Sequence, residues 1–305
     1  MSAPPLRLRE GLGYLAISVV LFGGIWPVTK SALAHASPLW FAFNRAAMAA
    51  LVAGLLLALR RRVAWPVRRD WPTVLTIGLL QLGGFFAMSH LALDYIPAGR
   101  TAILASVTIF WLIPLSVWVL GERVAALQWA AVAAGLAGVV VLMQPWTISA
   151  GTLALLPGYA MLLVASLFWS IAILVTRRFP PAHSAMELLP WCFALAALFL
   201  LPLALWREPS GGIGVAAWPQ AVFVGAVAAP LGTWATIETG RQLSGTMASV
   251  GFLLVPTLGV TLSTLWLGEP LGWDLLLGGG LIAASVVLAA LGAASGRAAV
   301  RPAGR

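Results

Sequence analysis

The chain has 305 residues, of which 61% are apolar and 9% charged, and its formal net charge is +9. A soluble domain averages about 45–50% apolar and about 25% charged residues. With so few charges a fold of this size cannot cover a water-facing surface, so lipid is the solvent for most of it. The same numbers exclude intrinsic disorder, which needs low hydrophobicity and high charge.

A helix crossing the hydrocarbon core needs about 20 apolar residues. Ten such blocks follow one another, at about 11–33, 38–59, 72–93, 98–120, 125–143, 153–176, 184–206, 218–239, 244–267 and 273–294. Long unbroken runs argue against a β-barrel, whose strands show short alternating segments. Ser37-Pro38, Trp71-Pro72, Pro180-Pro181 and Ser210-Gly211-Gly212 punctuate the blocks as turn signals do. No stretch is long and polar enough for a separate soluble domain. Arg7 and Arg9 precede the first block and Ala32-Leu33-Ala34 has the form of a signal cleavage site. The run is longer than a signal core, however, and is read as span one. The fold class predicted is an all-α integral membrane protein with ten transmembrane helices.

The distribution of positive charge sets the expected orientation. With the N-terminus inside, Arg7, Arg9, Arg60, Arg61, Arg62, Arg68, Arg69, Arg123, Arg177, Arg178, Arg241, Arg297, Arg301 and Arg305 fall on the cytoplasmic side. Lys30, Arg100 and Arg207 fall outside, and Arg45 lies within span two. Fourteen against three predicts a multi-pass membrane protein with both termini cytoplasmic. The arginines lie between apolar blocks rather than on one soluble face, so no nucleic-acid partner is expected. The one cysteine, Cys192, is read as a packing residue, and no Cys/His spacing suggests a metal. No cofactor is implied.

Val28-Thr29-Lys30 recurs as Val175-Thr176-Arg177, and Leu120-Gly121-Glu122 as Leu267-Gly268-Glu269, both at an offset of 147. Residues 1–150 and 151–305 are thus expected to be two five-span units. Five is odd, so the second unit enters the membrane from the opposite side. Inverted repeats are an architecture of alternating access, with the substrate site near the midplane between the halves.

On these residues the chain resembles the drug/metabolite transporter superfamily, EamA type. The first helix of each half carries an aromatic followed by a small residue, Phe22-Gly23 and Trp169-Ser170, and Leu-Gly-Glu closes the fourth. Arg45 sits where that family has an arginine, and Pro256 precedes Glu269 as its pattern requires. Two features depart from it: Ile109 stands at the first-half position matching Pro256, with Pro114 displaced, and Phe22 replaces the more usual Trp. The resemblance implies small-molecule transport, often export of amino acids, with the YddG-like aromatic and neutral amino-acid exporters as a neighbourhood.

Polar residues within spans are functional candidates by default. Arg45 attracts a substrate carboxylate in one reading; in the other, which the resemblance favours, it is structural. Gln81 is placed near the midplane of span three as a hydrogen-bonding candidate, and His90 near its outer end. Seven of the fifteen tryptophans lie near span ends, as interfacial belts do; Trp26, Trp111, Trp169 and Trp234 lie deeper. Phe22, Trp26, Gln81, His90, Trp111, Trp169, Ser170 and Trp234 are therefore the candidate substrate-binding residues. Arg45, Pro27, Pro256, Glu122 and Glu269 are the candidate structural or gating residues. Small residues spaced by four, Ala130, Ala134 and Gly138 in span five and Gly280 and Ala284 in span ten, mark these spans as tight packers. The oligomeric state is not readable.

Asp94, Glu122, Glu238, Glu269 and Asp274 cluster at span ends, Glu187 lies just inside span seven, and no carboxylate falls at a predicted midplane. This favours facilitated over proton-coupled transport. The chain is expected to be no enzyme, since it lacks Gly-x-Ser-x-Gly, His-Glu-x-x-His and a midplane aspartate pair. It has no filter loop or charged ring of a channel. The predicted function is export of small amphiphilic metabolites, with aromatic and neutral amino acids first. A nucleotide-sugar or other metabolite or drug carrier of the same superfamily is the alternative; the intramembrane enzyme is the remote one.

Overall fold

The structure, a computed structural model, describes residues 5–146 and 150–300. Arg301 and Arg305 of the charge count lie outside them, as do the side chains of Arg7, Ile109 and Arg297. The described residues form twelve helices: α1 (Pro5–Ala32), α2 (Pro38–Leu59), α3 (Trp71–Ala92), α4 (Ala98–Leu104), α5 (Thr108–Leu120), α6 (Ala126–Met143), α7 (Ala150–Arg178), α8 (Ala185–Arg207), α9 (Val215–Gln242), α10 (Gly245–Gly251), α11 (Leu254–Leu267) and α12 (Trp273–Val300). Nine stretches are long and apolar enough to cross a membrane, α10 and α11 counting as one. The remaining crossing is α4 with α5, which includes a shorter apolar helix, Phe110–Leu120. The chain is a multi-pass membrane protein, and all ten predicted blocks appear as helix. The fourth and ninth blocks differ from expectation in that each is broken.

The repeat is visible in the backbone. Helices α1–α6 are matched by α7–α12 at the 147-residue offset seen in the sequence. A π-helical stretch with widened turns runs over Thr76–Gly84 in α3 and recurs at Phe223–Ala228 in α9. The break between α4 and α5 at Ala105–Val107 recurs at Phe252–Leu253. Both breaks are tightened turns, with Ser106 N–H donating to Ile103 C=O and Leu253 N–H to Val250 C=O. Pro256 accounts for the second break, because its ring excludes the carbonyl four residues earlier, that of Phe252. The first half reaches the same geometry without a proline at that position, since Pro114 lies inside α5. Gly121 and Gly268 end α5 and α11 in the left-handed region, φ 66° and 68°, where a side chain would be strained.

Helices α6 and α12 pack on each other through glycines. A Cβ on Gly138 would lie 2.7 Å from Gly278 O and 2.7 Å from Ile282 Cγ1, and Gly135 faces Ser285. The small-residue face is therefore Ala131, Gly135 and Gly138, of which Gly138 was predicted and Ala131 and Gly135 were not. Ala130 and Ala284 are exposed, and Gly280 faces open space. Helix α1 packs on α9 and α11, α7 on α3 and α5, and α2 on α8.

The α2–α8 pair is braced by a carboxylate at each end. At the end carrying Lys30 and Arg100, Glu208 accepts from Leu39 N–H at 3.1 Å and Trp40 N–H at 3.3 Å, at the start of α2. At the other, arginine-rich end, Asp70 accepts from Val67 N–H (2.9 Å), Ala182 N–H (2.7 Å) and His183 N–H (3.0 Å), and lies 2.7 Å from His183 Nδ1, just before α8. The two loops correspond in the repeat, but the two acids do not share a register.

Two outcomes follow. Gly138→Ala must push α6 from α12 against backbone, and is expected to cost about 1–3 kcal/mol, read as a lowered melting temperature in detergent. Gly280→Ala should leave that temperature unchanged. Burial pushes the Asp70 carboxyl up, but the bonds from His183, Val67 and Ala182 outweigh it and hold it below the usual carboxylate range. Such a group stabilises the fold above its unfolded pKa of about 3.9 and loses that contribution as pH falls through the lower folded value. Asp70→Asn should therefore melt below wild type at pH 7, with the gap shrinking only below about pH 4.

Candidate functional site: a cavity between the repeats

The two helix breaks face one cavity of about 370 Å³. Its lining is paired across the repeat: Phe22 with Trp169, Leu82 with Ala229, Phe86 with Thr233, Ala105 with Phe252, and Thr108 with Val255 all contribute. A cavity lined by five pairs at one offset straddles the pseudo-two-fold axis. Its walls are largely aromatic, from Phe22, Trp26, Phe85, Phe86, Trp169, Phe193 and Phe252. The Trp169 ring stands edge-on to Phe85 at 4.9 Å.

Polar groups are few. Ser106, Thr108, Thr233 and Thr236 bring hydroxyls, and Arg45 brings a guanidinium. Three of the hydroxyls donate to their own helices: Ser106 to Ala102 O (3.3 Å), Thr233 to Ala229 O (2.7 Å) and Thr236 to Gly232 O (2.9 Å). Their oxygens keep acceptor capacity, with Thr236 Oγ1 also 3.3 Å from Ser18 Oγ. Arg45 is 7% exposed, and its guanidinium carbon lies 3.9 Å from the centre of the Phe86 ring. Among the described residues no Asp or Glu lines the cavity.

The end of the cavity toward Lys30 and Arg100 is closed. There α4 packs on α11, an approach allowed by Gly99 and Gly259, whose Cβ positions would lie 3.5 Å from Val260 Cα and 2.8 Å from Ala102 Cβ. Glu269 fixes the contact by accepting from Ala98 N–H at 2.7 Å and Gly99 N–H at 2.8 Å, the orphan donors at the start of α4. Arg100 clamps the same helix to α12, α6 and α7 through Asp274, Leu142 O (3.2 Å) and the Tyr159 hydroxyl (2.7 Å). Lys30 donates to Leu93 O. At the arginine-rich end the matching helices, α5 and α10, have no comparable packing among the described residues. Glu122, the repeat mate of Glu269, is about half exposed and lies 3.8 Å from Arg177.

Of the residues singled out in the sequence, Phe22, Trp26, Trp169 and Arg45 are brought together in this cavity. The others lie elsewhere. Ser170 is fully buried, its one hydroxyl hydrogen shared between Thr108 O at 2.9 Å and Ser166 O at 2.8 Å, which sets α7 against the first break. The Trp111 indole donates to Leu163 O and Ser166 Oγ, both at 3.1 Å, and joins α5 to α7. Trp234 stands edge-on to Tyr14 and lines a separate pocket of about 120 Å³ with Arg60 and Pro230. His90 is buried, with Nδ1 2.6 Å from Phe86 O. Gln81 sits in the π-helical stretch of α3, outside the cavity lining. Pro27 lies within α1, and Pro256 follows the second break.

Sequence reasoning missed Phe85, Phe86, Phe193, Phe252 and the hydroxyls. The signal for Phe252 was its position four residues before Pro256. A larger groove of about 530 Å³ runs between α2 and α8, but it opens beside Leu51 and Leu198, which are 73% and 69% exposed on the outside of the bundle. Its lining is also paired at the 147 offset, as Phe43 with Pro190 and Ala47 with Ala194, but it takes in neither break and opens to the outside of the bundle, so it is read as a lipid-facing seam.

The model of the EamA-like transporter family matches this chain twice, at residues 9–144 and 156–291, again 147 apart. An uncharacterized transporter of Bacillus subtilis, YvbV, is 28% identical over 90% of this chain and 89% of its own length. A Salmonella typhimurium protein named as a probable amino-acid metabolite efflux pump is 27% identical over 92% of this chain and 95% of its own. A solved crystal structure, 20% identical, superposes with a TM-score of 0.63 over 93% of this chain and 97% of its own, and shares the fold. With both halves matched and the two breaks meeting at one paired cavity, the chain belongs to the EamA-like transporter family.

Proposed function

We propose that this transporter works by alternating access and exports small amphiphilic metabolites, aromatic and neutral amino acids first, across the bacterial inner membrane. The observation that carries the reading is the cavity on the repeat axis with unequal ends. Helices α4 and α11 are closed with Glu269 capping α4, while their mates α10 and α5 stand apart with Glu122 beside Arg177. Two halves of one plan hold two different arrangements, and exchanging them would open the opposite end. In that exchange Glu122 takes the capping position on α10, and Glu269 is released.

The positive-inside rule puts the arginine-rich end, and both termini, in the cytoplasm. The cavity then faces the cytoplasm, the side from which an exporter loads. The aromatic walls suit a flat apolar group. The name of the Salmonella relative supports an amino-acid metabolite as cargo. The lack of a cavity carboxylate among the described residues supports a facilitative cycle with no proton relay. A nucleotide sugar is less well served, because a single guanidinium would face at least two phosphate charges.

Purified protein in proteoliposomes should take up labelled phenylalanine or tryptophan saturably and at the same rate with or without an imposed pH gradient. Trp169→Ala should lower that uptake about tenfold, the loss expected from about 1.4 kcal/mol of contact. No uptake by folded protein under either condition would reject the amino-acid reading. Uptake that requires the gradient would reject the facilitative one.

A further inference from the structure

We infer that Arg45 is the anion-recognising group of the cavity, and that the site selects small apolar carboxylates by their acid end, the α-amino group being dispensable. The inference deepens the proposed function and rests on the same cavity. Arg45 is a buried cation whose Nε has no hydrogen-bond partner. The ion pairs of the described residues involve Asp274, Glu122, Asp70 and Glu238, none of them with Arg45. The face of Phe86 lies against it, and a ring quadrupole does not neutralise a charge. A buried charge is tolerated when paired, and a carboxylate entering the cavity supplies the pair in bidentate form.

A purely structural role is answered by the repeat itself. The mate of Arg45 is Cys192, and the two positions make the same joint. A Cβ on Gly225 would lie 3.2 Å from Arg45 Cα and 2.9 Å from Met48 Cβ; one on Gly78 would lie 3.0 Å from Cys192 O and 3.0 Å from Leu195 Cβ. The second half builds this crossing with a small buried thiol residue, so the joint does not require a guanidinium. Only the Arg45 copy lines the cavity.

The amino end of a substrate fares differently. With no carboxylate in the lining among the described residues, an ammonium finds the hydroxyls of Ser106, Thr108, Thr233 and Thr236 and the faces of the aromatic walls, none of which carries a full negative charge. A carboxylate neutralises the cavity. A zwitterion brings back one positive charge with only neutral partners, and an amine without an acid adds a second cation to Arg45.

The test is competition against phenylalanine flux in proteoliposomes by phenylpropionate, which lacks the amino group, and by phenethylamine, which lacks the acid. Phenylpropionate should compete at least as well as phenylalanine, and phenethylamine at least about thirtyfold more weakly, a factor typical of an unpaired charge. Arg45→Gln should weaken phenylpropionate at least about tenfold and leave phenethylamine unchanged or improved, while Arg45→Lys keeps part of the acid preference. Equal competition by the amine in wild type overturns the inference without any variant. So does an Arg45→Gln protein that is folded and still prefers the acid. If phenylalanine is not carried at all, the proposed function fails, and thermal-shift titration of wild type with phenylpropionate and phenethylamine decides this point separately. Stabilisation by the acid alone supports the inference; equal or no stabilisation by both overturns it.

Discussion

A helix interrupted in the middle of a membrane leaves backbone groups that lipid cannot satisfy, so the interruption is stable only against protein or a wet cavity. This chain makes two such interruptions, at Ala105–Val107 and at Phe252–Leu253, and turns both toward one space. Much else in the bundle serves that placement. Helices α6 and α12 are locked by glycines away from the cavity, and α2 and α8 are braced at both ends by Glu208 and Asp70. These four form a frame. The short half-helices α4, α5, α10 and α11 are left as the parts whose contacts differ between the two ends.

The difference between the ends is small in chemistry and large in consequence. The Leu-Gly-Glu sequence closes both α5 and α11, and the left-handed glycine turns the chain so that the glutamate follows the helix end. At one end the carboxylate caps a helix start in the other half; at the other it sits beside Arg177 in partial solvent. Capping a helix N-terminus satisfies orphan N–H groups with a charge that also suits the helix dipole. Under the proposed alternating access, the same capping chemistry on either side would give two closed arrangements of similar energy, the condition for a bistable element that a substrate can bias.

The fold was legible from the sequence because lipid imposes a length and a polarity that no packing detail overrides. Ten apolar blocks and a 147-residue echo were enough to set the helices and their repeat. The breaks were less legible. Pro256 marks one, but the other has no proline at the matching position. The site was half legible. Phe22, Trp26 and Trp169 were distinguished by motif or depth, whereas Phe85, Phe86, Phe193 and Phe252 look like any other phenylalanine in an apolar run. Trp111 and Ser170 show the converse. Polar atoms deep in a span attract a functional reading, yet both spend their hydrogen bonds joining α7 to its neighbours. Small-residue spacing identified the right helices and placed Gly138 correctly, but Ala130, Gly280 and Ala284 face outward, because alanine and glycine also occur toward lipid here.

The most direct test of the account is paired cysteine cross-linking in a Cys192→Ala background. One pair, Ala102→Cys with Gly259→Cys, spans the closed α4–α11 contact; its repeat-matched counterpart, Leu112→Cys with Ser249→Cys, spans α5 and α10. The account predicts that each pair cross-links in a separate fraction of molecules, that transported substrate shifts the ratio, and that either cross-link alone stops transport. Both cross-links forming in one molecule that still transports would contradict it.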